Sequence, residues 1–260
     1  MKRHGLALPA ESTELLRRLL EGQRLALGHR LVATYVFGSA ASGDFEAGLS
    51  DLDTIAVLAD DPMPNDLAAL ARMHSELVRQ SPEWDDRVEA VYLSAAALAS
   101  FRYGRHPAAR VSPGEPFHAI EVDRRWVIDW YRVREIGVTL HGPPPHKLIP
   151  KILNSEFVAA ARGELLIWPR QISPGMTAGS LAHAVLTICR SLCLIETGRQ
   201  VSKRVGAHWG ATRMPEFAQL ISEALTSREV ATEGGTTDSC LAFADVRRFA
   251  VEAASRIRDG

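Results

Sequence analysis

The run TYVFGSAASGDFEAGLSDLDTIAVL, Thr34 to Leu58, decides how this chain folds. Its two ends are rich in β-branched and aromatic residues and read as strands, residues 31–37 and 52–58. Gly38 and Ser39 follow the first strand directly, and Asp51 and Asp53 stand at the head of the second. A glycine there lets the chain turn sharply and lets a ligand approach the backbone. A helix starting near Ser39 would add free N–H groups and a hydroxyl, an anion site. Strand side chains alternate, so Asp51 and Asp53 share one side with Leu52 on the other. Burying an unpaired carboxylate costs several kcal/mol, so the pair either meets solvent at a sheet edge or holds a cation. A hard divalent cation such as Mg²⁺ accepts one or two carboxylates together with phosphate oxygens. Gly38, Ser39, Asp51 and Asp53 together therefore point to a nucleoside triphosphate with Mg²⁺.

A third acid lies downstream. RVEAVYL, residues 87–93, alternates like a strand and carries Glu89 among Val88, Ala90 and Val91. Alone, Glu89 reads as an outward-facing residue on a half-exposed sheet. Beside the aspartate-bearing strand it would instead complete a trio that holds metal or takes a proton from an attacking hydroxyl.

Outward from these strands, residues 12–27 space Leu15, Leu16, Leu19, Leu20 and Leu25 as one helix face, and residues 64–79 read as a second helix. FHAIEV, residues 117–122, is a further strand, preceded by a loop with Gly, Pro and basic residues. A helix containing Trp126, Ile128, Trp130, Tyr131 and Val133 runs up to Gly137. HGPPPHKLIP is the clearest seam, because proline neither continues a helix nor donates to a sheet. Beyond it strand signals vanish, and residues 151–163, 181–198, 216–226 and 242–257 read as helices, with Gly198 as a C-cap. The expected fold is α+β: a mixed-sheet domain over residues 1–148 and an all-helical domain over 149–260.

The 260 residues carry 30 basic and 31 acidic side chains, a net charge of −1, which argues against a protein that grips long nucleic acid. Three cysteines argue against a disulfide framework, and no zinc-spaced partner accompanies Cys189 and Cys193, so buried free thiols are expected. The charged N-terminal stretch is no signal peptide, and AHAVLTICRSLCLI, interrupted by Arg190, is too short to cross a bilayer. A monomer in the cytoplasm, without membrane or nucleic-acid partner, is the expectation.

Gly38-Ser39, Asp51-x-Asp53 and the later strand acid Glu89 resemble the nucleotidyltransferase superfamily of the DNA polymerase β kind. HAVLTICRSLCLIETGRQVSKRVGAHW, residues 183–209, is similar to the helical C-terminal domain of aminoglycoside 3''-adenylyltransferases, which modify streptomycin and spectinomycin. The resemblance implies a five-stranded mixed sheet, a helical bundle, and ATP and substrate in the cleft between them. It implies that Asp51 and Asp53 hold Mg²⁺, that Ser39 at Gly38 and Lys203 contact the triphosphate, and that Glu89 is the general base while touching a metal. It places His183 on the acceptor side. The chain departs from those enzymes at Ser180, where they carry an aspartate, and in SPGEPFHAI, where they carry Gly-Glu-Trp; Phe117 stands nearby.

From its residues alone, the helix that carries His183, Thr187, Arg190 and Ser191 on one face is either a wet cleft wall or a polar seam between helices. The expected activity is transfer of AMP from ATP to a hydroxyl of an aminoglycoside or aminocyclitol antibiotic. The rival expectations are another acceptor, such as a protein hydroxyl, and a non-catalytic nucleotide-binding module.

Overall fold

The structure is a computed structural model that describes residues 8–232 and 241–258. The chain divides into two compact units, Met1–Ile152 and Leu153–Gly260.

The first unit is built on a six-stranded sheet with order β5-β4-β3-β2-β1-β6. Its strands are β1 (Leu31–Val36), β2 (Leu52–Leu58), β3 (Val88–Ser94), β4 (His106–Ser112), β5 (Glu115–Val122) and β6 (Val138–His141). Helices α1 (Ala10–Leu27), α2 (Gly38–Ser42), α3 (Pro64–Gln80), α4 (Ala95–Ser100) and α5 (Val127–Ile136) complete it. Only β2 and β3 run parallel; every other neighbouring pair is antiparallel. A parallel pair needs a long crossover, and α3 supplies it. Pro64 opens that helix, and the Asp66 carboxylate accepts from the Met63 N–H at 2.8 Å and pairs with Arg30 at 3.1 Å.

Alternation sorts the residues of β2 and β3 onto two faces. Leu52, Ala56, Leu58, Val88, Ala90 and Tyr92 pack with Leu15, Leu16, Leu19, Leu70 and Leu77 of α1 and α3. Ile55, Val57, Val91 and Leu93 are equally buried on the other face. Asp53 and Glu89 lie on that second face, at the start of their strands, in front of this apolar run.

The sheet has one strand more than the resemblance implied, and the stretch between β3 and β5 is α4 and β4 rather than a loop. Pro107, His106 and Arg110 mask the alternation of β4, and β6 is only four residues long, too short for periodicity to register.

A polar chain crosses the core on the helix-covered face. Thr34 Oγ1 donates to Gln23 Oε1 at 2.9 Å, and Gln23 Nε2 donates to Tyr92 Oη at 3.2 Å. Tyr92 Oη lies 2.7 Å from His74 Nε2. Burial pushes the His74 imidazole down from 6.5 to about 4, so the folded unit holds it neutral. The unfolded chain protonates near 6.5, so the stability that His74 supports is complete above that pH and is lost as pH falls toward 4. By pH 5 this amounts to about 2 kcal/mol. Denaturation curves at pH 7 and pH 5 are expected to separate accordingly in the wild type, and to converge in His74→Gln.

The second unit consists of α6 (Asn154–Gln171), α7 (Ala178–Thr197), α8 (Lys203–Arg213), α9 (Ala218–Thr232) and α10 (Phe243–Arg256). Helix α6 runs through Gly163, where sequence alone suggested a stop, because Leu165 continues its buried face. Helix α7 is its axis. At 20 residues it is long and apolar enough to cross a membrane by length and composition, which corrects the reading that it is too short. Twelve of those residues are nevertheless buried, packed with Leu165, Ala207, Phe217, Ile221 and Phe249. The αL residue Gly198 ends it, its N–H donating to Leu194 O at 2.8 Å.

Helix α8 packs closely on α7. A Cβ on Gly206 would sit 2.9 Å from Arg190 Cα, and one on Gly210 would sit 2.7 Å from Cys189 Sγ. Thr187 and Ser191 are buried there, so the polar stripe of α7 is a seam between helices, with His183 exposed at its end. Cys189 and Cys193 are free and buried; Cys240 lies outside the described residues.

Candidate active site in the sheet unit

The site begins where β1 ends. The Phe37 N–H donates to Asp53 O at 3.0 Å, tying the end of β1 to the start of β2. Gly38 then turns with φ +64°, and a Cβ built on it would fall onto Asp53 Oδ2. Glycine is needed there twice over, for the left-handed backbone and for contact with the carboxylate. Ser39 follows in the short helix α2; its carbonyl accepts from Asp44 N–H at 3.2 Å.

Asp51 is placed by Arg87. Arg87 Nη2 donates to Ser50 O at 2.9 Å, and the Leu52 N–H donates to Arg87 O at 2.9 Å, so the residues on both sides of Asp51 are held. The Arg87 guanidinium lies over the Trp84 ring at 4.5 Å.

Asp53 and Glu89 are direct register partners across the parallel β2–β3 pair. Their side chains therefore emerge on the same face of adjacent strands. Thr54 Oγ1 donates to Glu89 O at 3.2 Å, a further tie between the strands. Burial pushes the Glu89 carboxyl up to about 7. Arg110 opposes that shift, whereas the charges of Asp129, Asp51 and Glu115 reinforce it. A carboxylate with that proton affinity is suited to accept a proton near neutral pH.

The sheet thus brings Gly38, Asp53 and Glu89 together, with Asp51 near enough for Glu89 to feel its charge. It does not gather the acids into a closed metal set. Among the described residues, no group of three or more His, Cys, Asp or Glu side chains is assembled for a metal ion. Glu89 Oε1 lies 3.3 Å from Arg110 Nη2. The donor chemistry still fits a hard cation, since Asp51 and Asp53 offer oxygens beside a turn open to phosphate.

Arg110 and Asp129 escaped the sequence reading, which took Trp126 only as a helix residue. Arg110 lay in a stretch read as loop; its register partner Val91, two residues after Glu89, places it on the acidic face. Phe117, which the sequence put near an acceptor wall, is on the other face, stacked on His74 at 5.6 Å and edge-on to Tyr92 at 5.9 Å.

Within the helical unit, Lys203 Nζ lies 3.3 Å from His183 Nδ1, and the His183 ring is 6.5 Å from that of Trp168. Ser202 caps α8, accepting from the Val205 N–H at 3.2 Å, and so sets Lys203 at the first position of that helix. Ser180 serves the start of α7: its N–H donates to Thr177 Oγ1 at 3.1 Å.

Residues 147–255 match the family model described as aminoglycoside adenylyltransferase, C-terminal domain. Aminoglycoside (3'') (9) adenylyltransferases from Klebsiella pneumoniae and Escherichia coli are each 27% identical over 212 residues, covering 75% of this chain and 76% of theirs. The fold is that of a spectinomycin adenyltransferase from Enterococcus faecialis, whose crystal structure contains ATP and spectinomycin. The TM-score is 0.76 at 14% identity, over 94% of this chain and 99% of that one. The resemblance to aminoglycoside adenylyltransferases that the sequence carries is thus borne out, in the C-terminal domain, along most of the chain and in the fold.

Proposed function

We propose that this protein is an ATP-dependent adenylyltransferase that moves AMP from ATP to a hydroxyl of an aminoglycoside or aminocyclitol antibiotic and releases pyrophosphate. The observation that carries this reading is the pairing of Asp53 with Glu89 across β2 and β3, beneath the turn at Gly38. Ser39 and the backbone N–H groups after Gly38 bind the triphosphate, and Lys203 adds a cation to it. Asp51 and Asp53 hold Mg²⁺, with Glu89 beside them; when bound, Mg²⁺ neutralises triphosphate charge. Glu89 accepts the proton of the acceptor hydroxyl. The freed oxygen forms its bond to the α-phosphorus as the bond from that phosphorus to the pyrophosphate oxygen breaks.

His183, beside Lys203, contacts the acceptor. Ser180 offers no carboxylate to a cationic acceptor, which favours an aminocyclitol of the spectinomycin kind over streptomycin. The protein works as a monomer in the cytoplasm, without membrane or nucleic-acid partners. The free buried thiols, the near-neutral charge and the largely buried α7 support that placement. Antibiotic resistance is the cellular consequence.

Mass spectrometry of an antibiotic panel incubated with protein, ATP and Mg²⁺ tests the reading. One AMP added to spectinomycin, with matching pyrophosphate release, is the expected result. Absence of an adduct on every member of the panel would overturn the acceptor class. Absence of pyrophosphate with any acceptor would overturn the chemistry.

A further inference from the structure

Glu89 is not held by the other acids around it. Arg110 of β4 reaches it from the next strand: its register partner is Val91, which puts it on the face that carries Glu89. Its Nη2 lies 3.3 Å from Glu89 Oε1 and donates to Ser112 Oγ at 2.7 Å. Its other terminal nitrogen, Nη1, faces Glu115 Oε2 at 3.7 Å. Its Cζ lies over the ring of Trp126, 5.7 Å from the centroid, and Trp126 is stacked on the buried Trp130 at 5.6 Å. Arg110 Nε is buried without a hydrogen-bond partner, so the two terminal nitrogens and the ring set the orientation of the group. Both side chains of the pair are mostly buried, Arg110 at 27% and Glu89 at 26% exposure, which shields the contact from water.

We infer that Arg110 is a positioning residue for the proposed reaction: its guanidinium, braced by Trp126, Ser112 and Glu115, fixes the direction in which the Glu89 carboxylate faces the acceptor hydroxyl. The inference rests on the adenylyl-transfer reading. A planar fork suits this task because it presents donors in a fixed geometry to two carboxylates at once, which an ammonium group does not do. A base aimed wrongly by about 1 Å loses on the order of a hundredfold in rate, with no change in how the nucleotide is held. Arg110 thereby acts on kcat rather than on the KM for ATP.

The test is steady-state kinetics with ATP, Mg²⁺ and spectinomycin for the wild type, Arg110→Met, Arg110→Lys and Trp126→Leu. The expected result is a kcat about 30-fold lower in Arg110→Met with the ATP KM within about twofold of wild type. Arg110→Lys is expected to recover part of the loss, and Trp126→Leu to show a smaller loss of the same kind. Should Arg110→Met fail to fold, the lysine and Trp126 variants decide by the same split. A wild-type kcat in Arg110→Met overturns the inference. So does a raised ATP KM at unchanged kcat, which would make Arg110 a phosphate contact. Wild-type turnover separates the two failures. With none on any acceptor of the antibiotic panel, the functional reading falls and the inference falls with it; with turnover on one of them, the variants assayed on that acceptor judge Arg110 alone.

Discussion

Glu89→Gln is expected to lower adenylyl transfer by about a thousandfold while leaving the protein folded and the ATP KM nearly unchanged. The amide keeps the shape of the carboxyl group and removes its capacity to accept the proton. The same substitution is expected to stabilise the metal-free protein at pH 8. In the folded state the Glu89 carboxyl titrates at about 7 rather than the usual 4.5, chiefly because it is buried. A raised value means that the stability associated with the neutral form is complete below 4.5 and is lost as pH rises through 7. At pH 8 the wild type therefore carries a buried charge whose cost the glutamine avoids, about 2 kcal/mol after allowance for solvent screening. Thermal melts without metal at pH 8 should place Glu89→Gln above the wild type, with the gap closing by pH 5. A variant at wild-type rate refutes the base assignment; one that melts lower at pH 8 refutes the burial argument.

Gly38→Ala is expected to cost about 3 kcal/mol of stability and to reduce activity on the order of a hundredfold. Two separate terms contribute. The φ of +64° disfavours any residue with a Cβ, and that Cβ would collide with the Asp53 carboxylate. Gly38→Asn distinguishes them, because asparagine tolerates left-handed backbone yet still meets Asp53. If the collision dominates, Asn and Ala lose activity alike; if backbone strain dominates, Asn retains most of it. Denaturant midpoints and initial rates on the same preparations read both effects. Equal stability of all three proteins would refute the packing of the turn onto Asp53.

The strands that carry the site were legible because their patterns are strong. Residues 55–58 form an unbroken apolar run shortly after the aspartates, and residues 87–93 alternate around a single glutamate. Which strands are neighbours was not legible. Local pattern does not encode that β2 and β3 lie side by side with Asp53 opposite Glu89; the crossover through α3 and the apolar faces of both strands decide it. Arg110 was hidden for a related reason: its strand includes a proline and charged residues, so it earns its place from pairing with β3 rather than from composition. In the helical unit, α8 was missed as an element because Gly206 and Gly210 lower its helix propensity. Those glycines are what let α8 approach α7 so closely.

The lone parallel pair in an otherwise antiparallel sheet makes the catalytic arrangement hard to lose quietly. Deleting one residue inside β2 or β3 turns the side chains on one side of the deletion to the opposite surface; where the later part of the strand keeps its register, Asp53 or Glu89 enters the leucine-rich layer under α1 and α3. Small deletions there should therefore appear as insoluble protein rather than as well-folded but inactive enzyme, and harmless length variation is confined to the turns.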